Sequence, residues 1–150
     1  MKIVVVAAVS DNGFIGKDNR LPWSIPEEMK HFHEVTLGHV MIVGHRTWKS
    51  LPKKMREYPG MVIVSSNPGK DLLSAIEVIK ARDYEELYVI GGAYVYAQAI
   101  PIADELIISY VHRHVEGDVK MPSIDYNQWT PGKVKSGEEF TTIWWKRKNV

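Results

Sequence analysis

Lys2-Ile3-Val4-Val5-Val6-Ala7-Ala8-Val9 is apolar for almost its whole length and ends at Ser10-Asp11-Asn12-Gly13. A β-branched run without polar alternation, closed by turn residues, is a strand covered on both faces, which places it mid-sheet. The same character returns at Val40 to Val43, Met61 to Val64, Leu87 to Ile90 and Glu105 to Val111, each bounded by Gly, Pro, Ser or a polar turn. Between them the spacing predicts helices over Ile25 to Val35, near Thr47 to Leu51, over Leu72 to Ala81 with Leu72, Leu73, Ile76 and Ile79 on one stripe, and over Tyr94 to Ile100. Such alternation gives an α/β layered sheet. Beyond Pro122 the pattern changes: Lys133 to Lys135 and Phe140 to Lys148 flank Ser136-Gly137-Glu138-Glu139, a terminal antiparallel hairpin that makes the sheet mixed.

No repeat, low-complexity tract or linker interrupts this order, so residues 1–150 read as one domain, large enough for a core and a ligand cleft. A formal charge of +1, with both signs interspersed, offers no field for nucleic acid and no polybasic stripe for a membrane, which leaves a small molecule as the expected partner. The absence of cysteine removes disulfides, thiol nucleophiles and thiolate metal sites and suits a reducing, cytoplasmic setting. The apolar run Ile3 to Val9 is too short to span a bilayer, and no cleavage-site pattern follows it.

Ser24-Ile25-Pro26-Glu27 reads as a capping box, with Ser24 and Glu27 exchanging hydrogen bonds and Pro26 in the first turn. Counted from that start, Glu28, Phe32 and Val35 fall at i, i+4 and i+7 with Ile25 and Met29 flanking, so Glu28 points along the buried stripe. An acid there persists when something, often a ligand, hydrogen-bonds it; the plainer reading is a first-turn glutamate favoured by the helix dipole. Helical geometry alone leaves both open.

Three strand ends carry polar or glycine-rich segments. Gly91-Gly92 stands between a strand and a helix, where missing Cβ atoms let a ligand approach the backbone, although this is not the G-x-G-x-x-G fingerprint. Gly44-His45-Arg46-Thr47 puts positive charge at a helix start, which favours an anion. Ser65-Ser66-Asn67 adds hydroxyls at another strand end, where open α/β sheets bind ligands. Each is ordinary turn chemistry taken singly; together they suggest one extended, phosphate-bearing ligand. His31 and His33 at i, i+2 cannot converge on a metal, and His112 with His114 lacks a third ligand, so all four are expected in solvent and no metal is expected. Trp48, Trp129, Trp144 and Trp145 read as packing residues, since no basic run interleaves with them.

Ala7-Ala8, Ile15-Gly16, Leu21-Pro22-Trp23, Pro26-Glu27-Glu28 with Phe32, Gly44-His45-Arg46-Thr47-Trp48, Ser65-Ser66, Ile90-Gly91-Gly92 with Tyr96, and Glu116-Gly117-Asp118 occur in that order, and through them the chain resembles dihydrofolate reductase over essentially its full length. The resemblance implies that fold: a mixed, mostly parallel central sheet with flanking helices and an antiparallel C-terminal hairpin. It implies a monomer that moves hydride from NADPH to C6 of 7,8-dihydrofolate, with protonation at N5. Glu28 takes the place of the family's conserved acid, with Trp23 and Ser109 holding water and hydroxyl contacts around it. Val6, Ala8, Met29, Phe32, Leu51 and Ile90 form the pterin's apolar slot. For the cofactor, Ala8, Ile15 and Gly16 lie by the nicotinamide, while Ile90, Gly91, Gly92 and Tyr96 line its length. Gly44, Arg46 and Thr47 fall at the pyrophosphate, and His45, Ser65 and Ser66 around the 2′-phosphate. Residues Ser10 to Ser24 correspond to a mobile lid.

Three positions depart from the family pattern. Register counted from Ser65-Ser66 puts Pro59 where an arginine binds the substrate's α-carboxylate, making Arg56 the nearest substitute and Lys53 and Lys54 point-charge alternatives. Tyr94 stands where many members have an arginine near the adenosine phosphate, which weakens the expected preference for NADPH over NADH. The stretch from Ser66 to Ile90 is short, implying a trimmed connection. Two other functions compete: the pyrimidine reductase of riboflavin biosynthesis, which shares the fold, and a nonenzymatic NADP- or antifolate-binding protein. Glu28 within Leu21-Pro22-Trp23-Ser24-Ile25-Pro26-Glu27-Glu28 argues against the first, and the intact acid with Trp23 against the second.

Overall fold

β1 (Lys2–Ser10) lies inside a seven-stranded sheet, and its Val4 to Ala7 are all buried. The structure is a computed structural model describing residues 1–18 and 20–148. Parallel pairing joins β1 to β5 (Glu86–Val89) on one side and to β6 (Glu105–Val111) on the other. Beyond β5 come β3 (Val40–Gly44) and the edge strand β4 (Met61–Val64), both parallel. Beyond β6 the hairpin of β9 (Phe140–Arg147) and β8 (Trp129–Ser136) runs antiparallel, so the mixed sheet expected from the sequence is present. β8 starts earlier than its Lys133–Lys135 core, at Trp129, which is 3% exposed in the core.

Alternation along β1 separates two layers. Val5, Ala7 and Val9 join Leu106 and Ile108 against α4 (Leu72–Lys80) and α5 (Ala93–Ala99). Val4 and Val6 face the other way, with Met41, Val43, Tyr88, Ile90 and Ile107, against Phe32 and Val35 of α1 (Pro26–Thr36) and Trp48 of α2 (His45–Ser50). On α4, Leu72, Ile76 and Ile79 are buried at i, i+4 and i+7, but Leu73 is 60% exposed, because one further residue turns it about 100° off the stripe. The connection from β4 to β5 is the single helix α4.

Three short elements escaped the sequence pattern: α3 (Lys53–Arg56), and β2 (Phe14–Gly16) with β7 (Val119–Lys120), which pair antiparallel. The expected capping box does not form. Ile25, extended at φ −126 ψ 100, is the N-cap, and no side chain caps the helix. A residue before proline is pushed out of the helical region, so the helix starts one residue late and Ser24 falls outside it. His31 also departs from expectation: it is 6% exposed, wedged against Phe140 and Trp144 of β9, while His33, His112 and His114 are exposed.

Candidate active site

The cleft follows from where pairing stops. β1 pairs with β5 only as far as Val5 and Val89, yet with β6 through to Ser10, so the sheet parts on one side of β1 above Val5. The Val6 carbonyl, left without a strand partner there, accepts from the buried Tyr96 hydroxyl at 2.7 Å. Over this opening lies the α1 face of the sheet, carrying Val6, Ala8, Ile90 and Ser109.

Glu28 is 4% exposed on that face of α1. Burial pushes its carboxyl above the ordinary range, opposed only by the neighbouring Trp23 indole, whose Nε1 is itself buried and does not reach hydrogen-bonding geometry. Its charge also bears on Tyr96, whose hydroxyl burial holds far above the usual phenol range. Ser109, 3% exposed, shares a 2.8 Å hydrogen bond with Thr142 of β9. Thr142 is absent from the residues the sequence nominates, although a threonine between inward-facing Phe140 and Trp144 is the signal that finds it.

A second group of residues gathers along the carboxyl edge of β4, β3 and β5, which are neighbours in the sheet. Gly44 ends β3 and donates its N–H to the Gly91 carbonyl at 2.7 Å; the Gly91-Gly92 peptide is cis. A Cβ on Gly92 would stand 2.6 Å from Thr47 Oγ1, and one on Gly44 3.1 Å from Val95, so backbone here lies where side chains cannot. The first turns of α2 and α5 hold no acid, whereas that of α1 holds Glu27 and Glu28, and no side chain caps either α2 or α5. His45 and Arg46 are exposed beside them, and Ser65 and Ser66 follow β4. Glycine floor, free N–H groups and two basic side chains suit an extended anionic ligand, which a nicotinamide dinucleotide is.

The family model for dihydrofolate reductase matches residues 2–142. The chain is 38% identical to dihydrofolate reductase of Neisseria gonorrhoeae, over 86% of this chain and 84% of that protein. It is 33% identical to dihydrofolate reductase of Bacillus subtilis, over 93% and 84%, and 29% identical to dihydrofolate reductase HdrB of Haloferax volcanii, over 99% and 84%.

The chain belongs to the dihydrofolate reductase family. It is therefore an oxidoreductase of a family that uses an NADPH-type cofactor, and neither the riboflavin-pathway enzyme nor a nonenzymatic binder is favoured. The structure brings Glu28, Trp23, Ser109, Val6, Ala8, Phe32, Leu51 and Ile90 to one face of the sheet, with Met29 half-buried on α1. Arg56 is exposed on α3, its guanidinium 5.8 Å over the Trp48 ring, so Trp48 carries a cation as well as packing. Ile15 and Gly16 lie on β2, inside the lid expected over residues 10–24, of which Asn19 is outside the described residues.

This segment is tied to the loop after β6. Asn12 donates to the Val115 carbonyl at 2.7 Å and accepts from the Val115 N–H at 3.1 Å, while Asp118 accepts from the Asp18 N–H and donates its own to the Gly16 carbonyl. Asn12→Ala removes both contacts with Val115, along with the hydrogen bond Asn12 accepts from the Ser10 hydroxyl, and hydrogen exchange at Val115 and in β2 is expected to quicken at least tenfold, since the two part-buried hydrogen bonds to Val115 are worth about 1–3 kcal/mol together. Unchanged protection at these amides would show that the pairing of β2 with β7 suffices.

Proposed function

We propose that this chain reduces 7,8-dihydrofolate to 5,6,7,8-tetrahydrofolate with NADPH, binding the pterin between α1 and the parted strands β1 and β5. The observation that carries this reading is Glu28, an almost fully buried acid whose desolvation only the neighbouring Trp23 indole opposes, on the face shared with Trp23 and Ser109. A planar ring presenting an amino group and a ring N–H supplies the donors that such a carboxyl lacks. Val6, Ala8, Met29, Phe32, Leu51 and Ile90 hold the ring by packing.

NADPH, when bound, supplies the hydride delivered to C6. Gly91, Gly92 and Tyr96 line its path, with Gly44, Arg46 and Thr47 at the pyrophosphate, His45, Ser65 and Ser66 at the 2′-phosphate, and Ala8, Ile15 and Gly16 beside the nicotinamide. Glu28 fixes the pterin's pose and, through a water held by Trp23, favours a proton at N5. A carboxyl raised by burial is suited to this, because more of it stays protonated near neutral pH. Ser109, steadied by Thr142, offers the remaining hydroxyl contact. With Tyr94 60% exposed at the start of α5, the 2′-phosphate relies on His45, Arg46 and the serines, so discrimination against NADH is modest. The 150 residues act as one monomeric domain, cytoplasmic and without a nucleic-acid partner; no helix among the described residues is long and apolar enough to cross a membrane.

Mixing the protein with NADPH and dihydrofolate should bleach the nicotinamide absorbance, and no turnover anywhere from about pH 5 to 8, the span over which catalytic acids are tuned, would defeat the enzyme reading. Arg56→Ala is expected to raise KM for dihydrofolate about tenfold, the worth of one charge-assisted hydrogen bond, and to leave a pterin without the glutamate tail unaffected. Equal KM values for Arg56→Ala and the parent protein with dihydrofolate would remove Arg56 from the site.

A further inference from the structure

Among the described residues two buried side-chain atoms lack a hydrogen-bond partner, Trp23 Nε1 and His31 Nε2. The reaction proposed above uses the first and not the second. His31 follows Glu28 by three residues, so their Cβ atoms stand about 5–6 Å apart on the buried side of α1. Phe32, the next residue, joins the cluster of Leu51 and Ile90 beside the cleft. His31 turns the other way, its ring 5.9 Å from Phe140 and edge-on to Trp144 at 5.7 Å. Phe140 belongs to the same buried cluster as Trp23, so the two residues with unpartnered nitrogens are joined through one patch of core. Two residues along β9 from Phe140, Thr142 and its partner Ser109 supply buried hydroxyls. Glu28, His31 and these hydroxyls are enough polar groups to hold one buried water, the usual reason for a buried nitrogen without a protein partner.

We propose that His31 is a positioning residue for Glu28: its Nε2 accepts from a buried water that also donates to the Glu28 carboxyl from the β9 side, behind the cleft. Its effect on turnover rests on Glu28 being the pterin-binding acid; the contact itself does not. His31 is suited to accept, because burial holds its pKa below the ordinary range and keeps the ring neutral near pH 7. Lys133 and Lys135 of β8 push the same way, and Glu34, one turn further along α1, opposes them. The water's donation steadies the carboxylate against the burial that otherwise drives the carboxyl up, and it fixes the carboxyl's orientation while the cleft is open.

The test is the titration of the Glu28 carboxyl, followed by carbon-13 NMR of the full chain without substrate, in the parent protein, His31→Phe and His31→Gln. Phenylalanine fills the space between Phe140 and Trp144 but cannot hold the water, so the Glu28 midpoint is expected to rise by about one pH unit. Glutamine retains an acceptor and is expected to stay within about 0.3 of the parent. Nitrogen-15 spectra of the parent should show Nδ1 protonated and Nε2 a free acceptor, a measurement that needs no variant to fold. An unmoved midpoint in His31→Phe, a His31→Gln indistinguishable from it, or a protonated Nε2 would each overturn the proposal. Should Glu28→Gln keep its hydride-transfer rate while the NMR midpoints move as expected, the catalytic reading fails and the link between His31 and Glu28 stands.

Discussion

Glu28→Gln is expected to lower the rate of hydride transfer to dihydrofolate by about a hundredfold or more near pH 7, the contribution usual for a positioned general acid, and at the same pH to make the protein more stable. The two effects share one cause. Glu28 is buried among apolar side chains with only an imperfectly placed indole to offset its desolvation, so its folded pKa lies above the ordinary value of 4.5. Between that value and the folded pKa, the folded state binds more protons than the unfolded one, and stability falls as pH rises. The carboxyl's contribution is thus fully present below about pH 4.5 and lost as pH passes the raised folded pKa. Glutamine matches the shape without the ionisation. The variant should therefore gain Tm over the parent at pH 7 and lose the advantage on acidification. Single-turnover kinetics and thermal melts across that range check both halves. Equal hydride-transfer rates would reduce Glu28 to a structural acid, and a pH-independent Tm difference would mean that the gain has another source.

How far the sequence reaches is clear from this helix. Glu28 was legible because period and burial agree: residues 28, 32 and 35 recur at helical spacing, and a carboxyl among apolar neighbours stands out. His31, on the same helix, reads as solvated, because its i, i+2 spacing to His33 builds no metal site and nothing local buries it. What buries it are Phe140 and Trp144, brought from the far end of the chain by the pairing of β9 with β6. The main strands were likewise legible, since burial on both faces leaves continuous apolar runs in β1, β3 and β5. β2, β7 and α3, of three, two and four residues, are too short to show a period. The contacts of Asn12 with Val115 and of Asp18 with Asp118 depend on two loops meeting, which no local pattern encodes. The helix starts one residue later than its pattern predicts for a local reason, the restriction that Pro26 imposes on Ile25.

Gly92→Ala is the second substitution with a large expected effect, and its cause is isolated by a partner change. The backbone of Gly92 is at φ −87 ψ −151, which alanine can adopt, so loss of conformational freedom is not the issue. The obstacle is Thr47 Oγ1, 2.6 Å from where the new methyl would sit, whereas Thr47 Cβ is a comfortable 4.0 Å away. Thr47 is β-branched and sits in the first turn of α2, where its rotamers are few, so the clash displaces the backbone of one strand end or the other. Overpacking of this kind costs about 1–3 kcal/mol. Both strand ends bear on the proposed dinucleotide path, so KM for NADPH should rise along with the fall in stability. Thr47→Ala deletes the offending oxygen. The double variant Gly92→Ala, Thr47→Ala is therefore expected to recover most of the lost stability, a coupling of about 1 kcal/mol or more between contacting residues. It should not recover NADPH affinity if Thr47 meets the pyrophosphate as proposed, because that hydroxyl is gone. Urea unfolding of the four proteins in the cycle measures the first quantity and cofactor titration the second. Strictly additive stabilities would place the strain elsewhere than at Thr47, and full recovery of affinity would remove the Thr47 hydroxyl from the cofactor site.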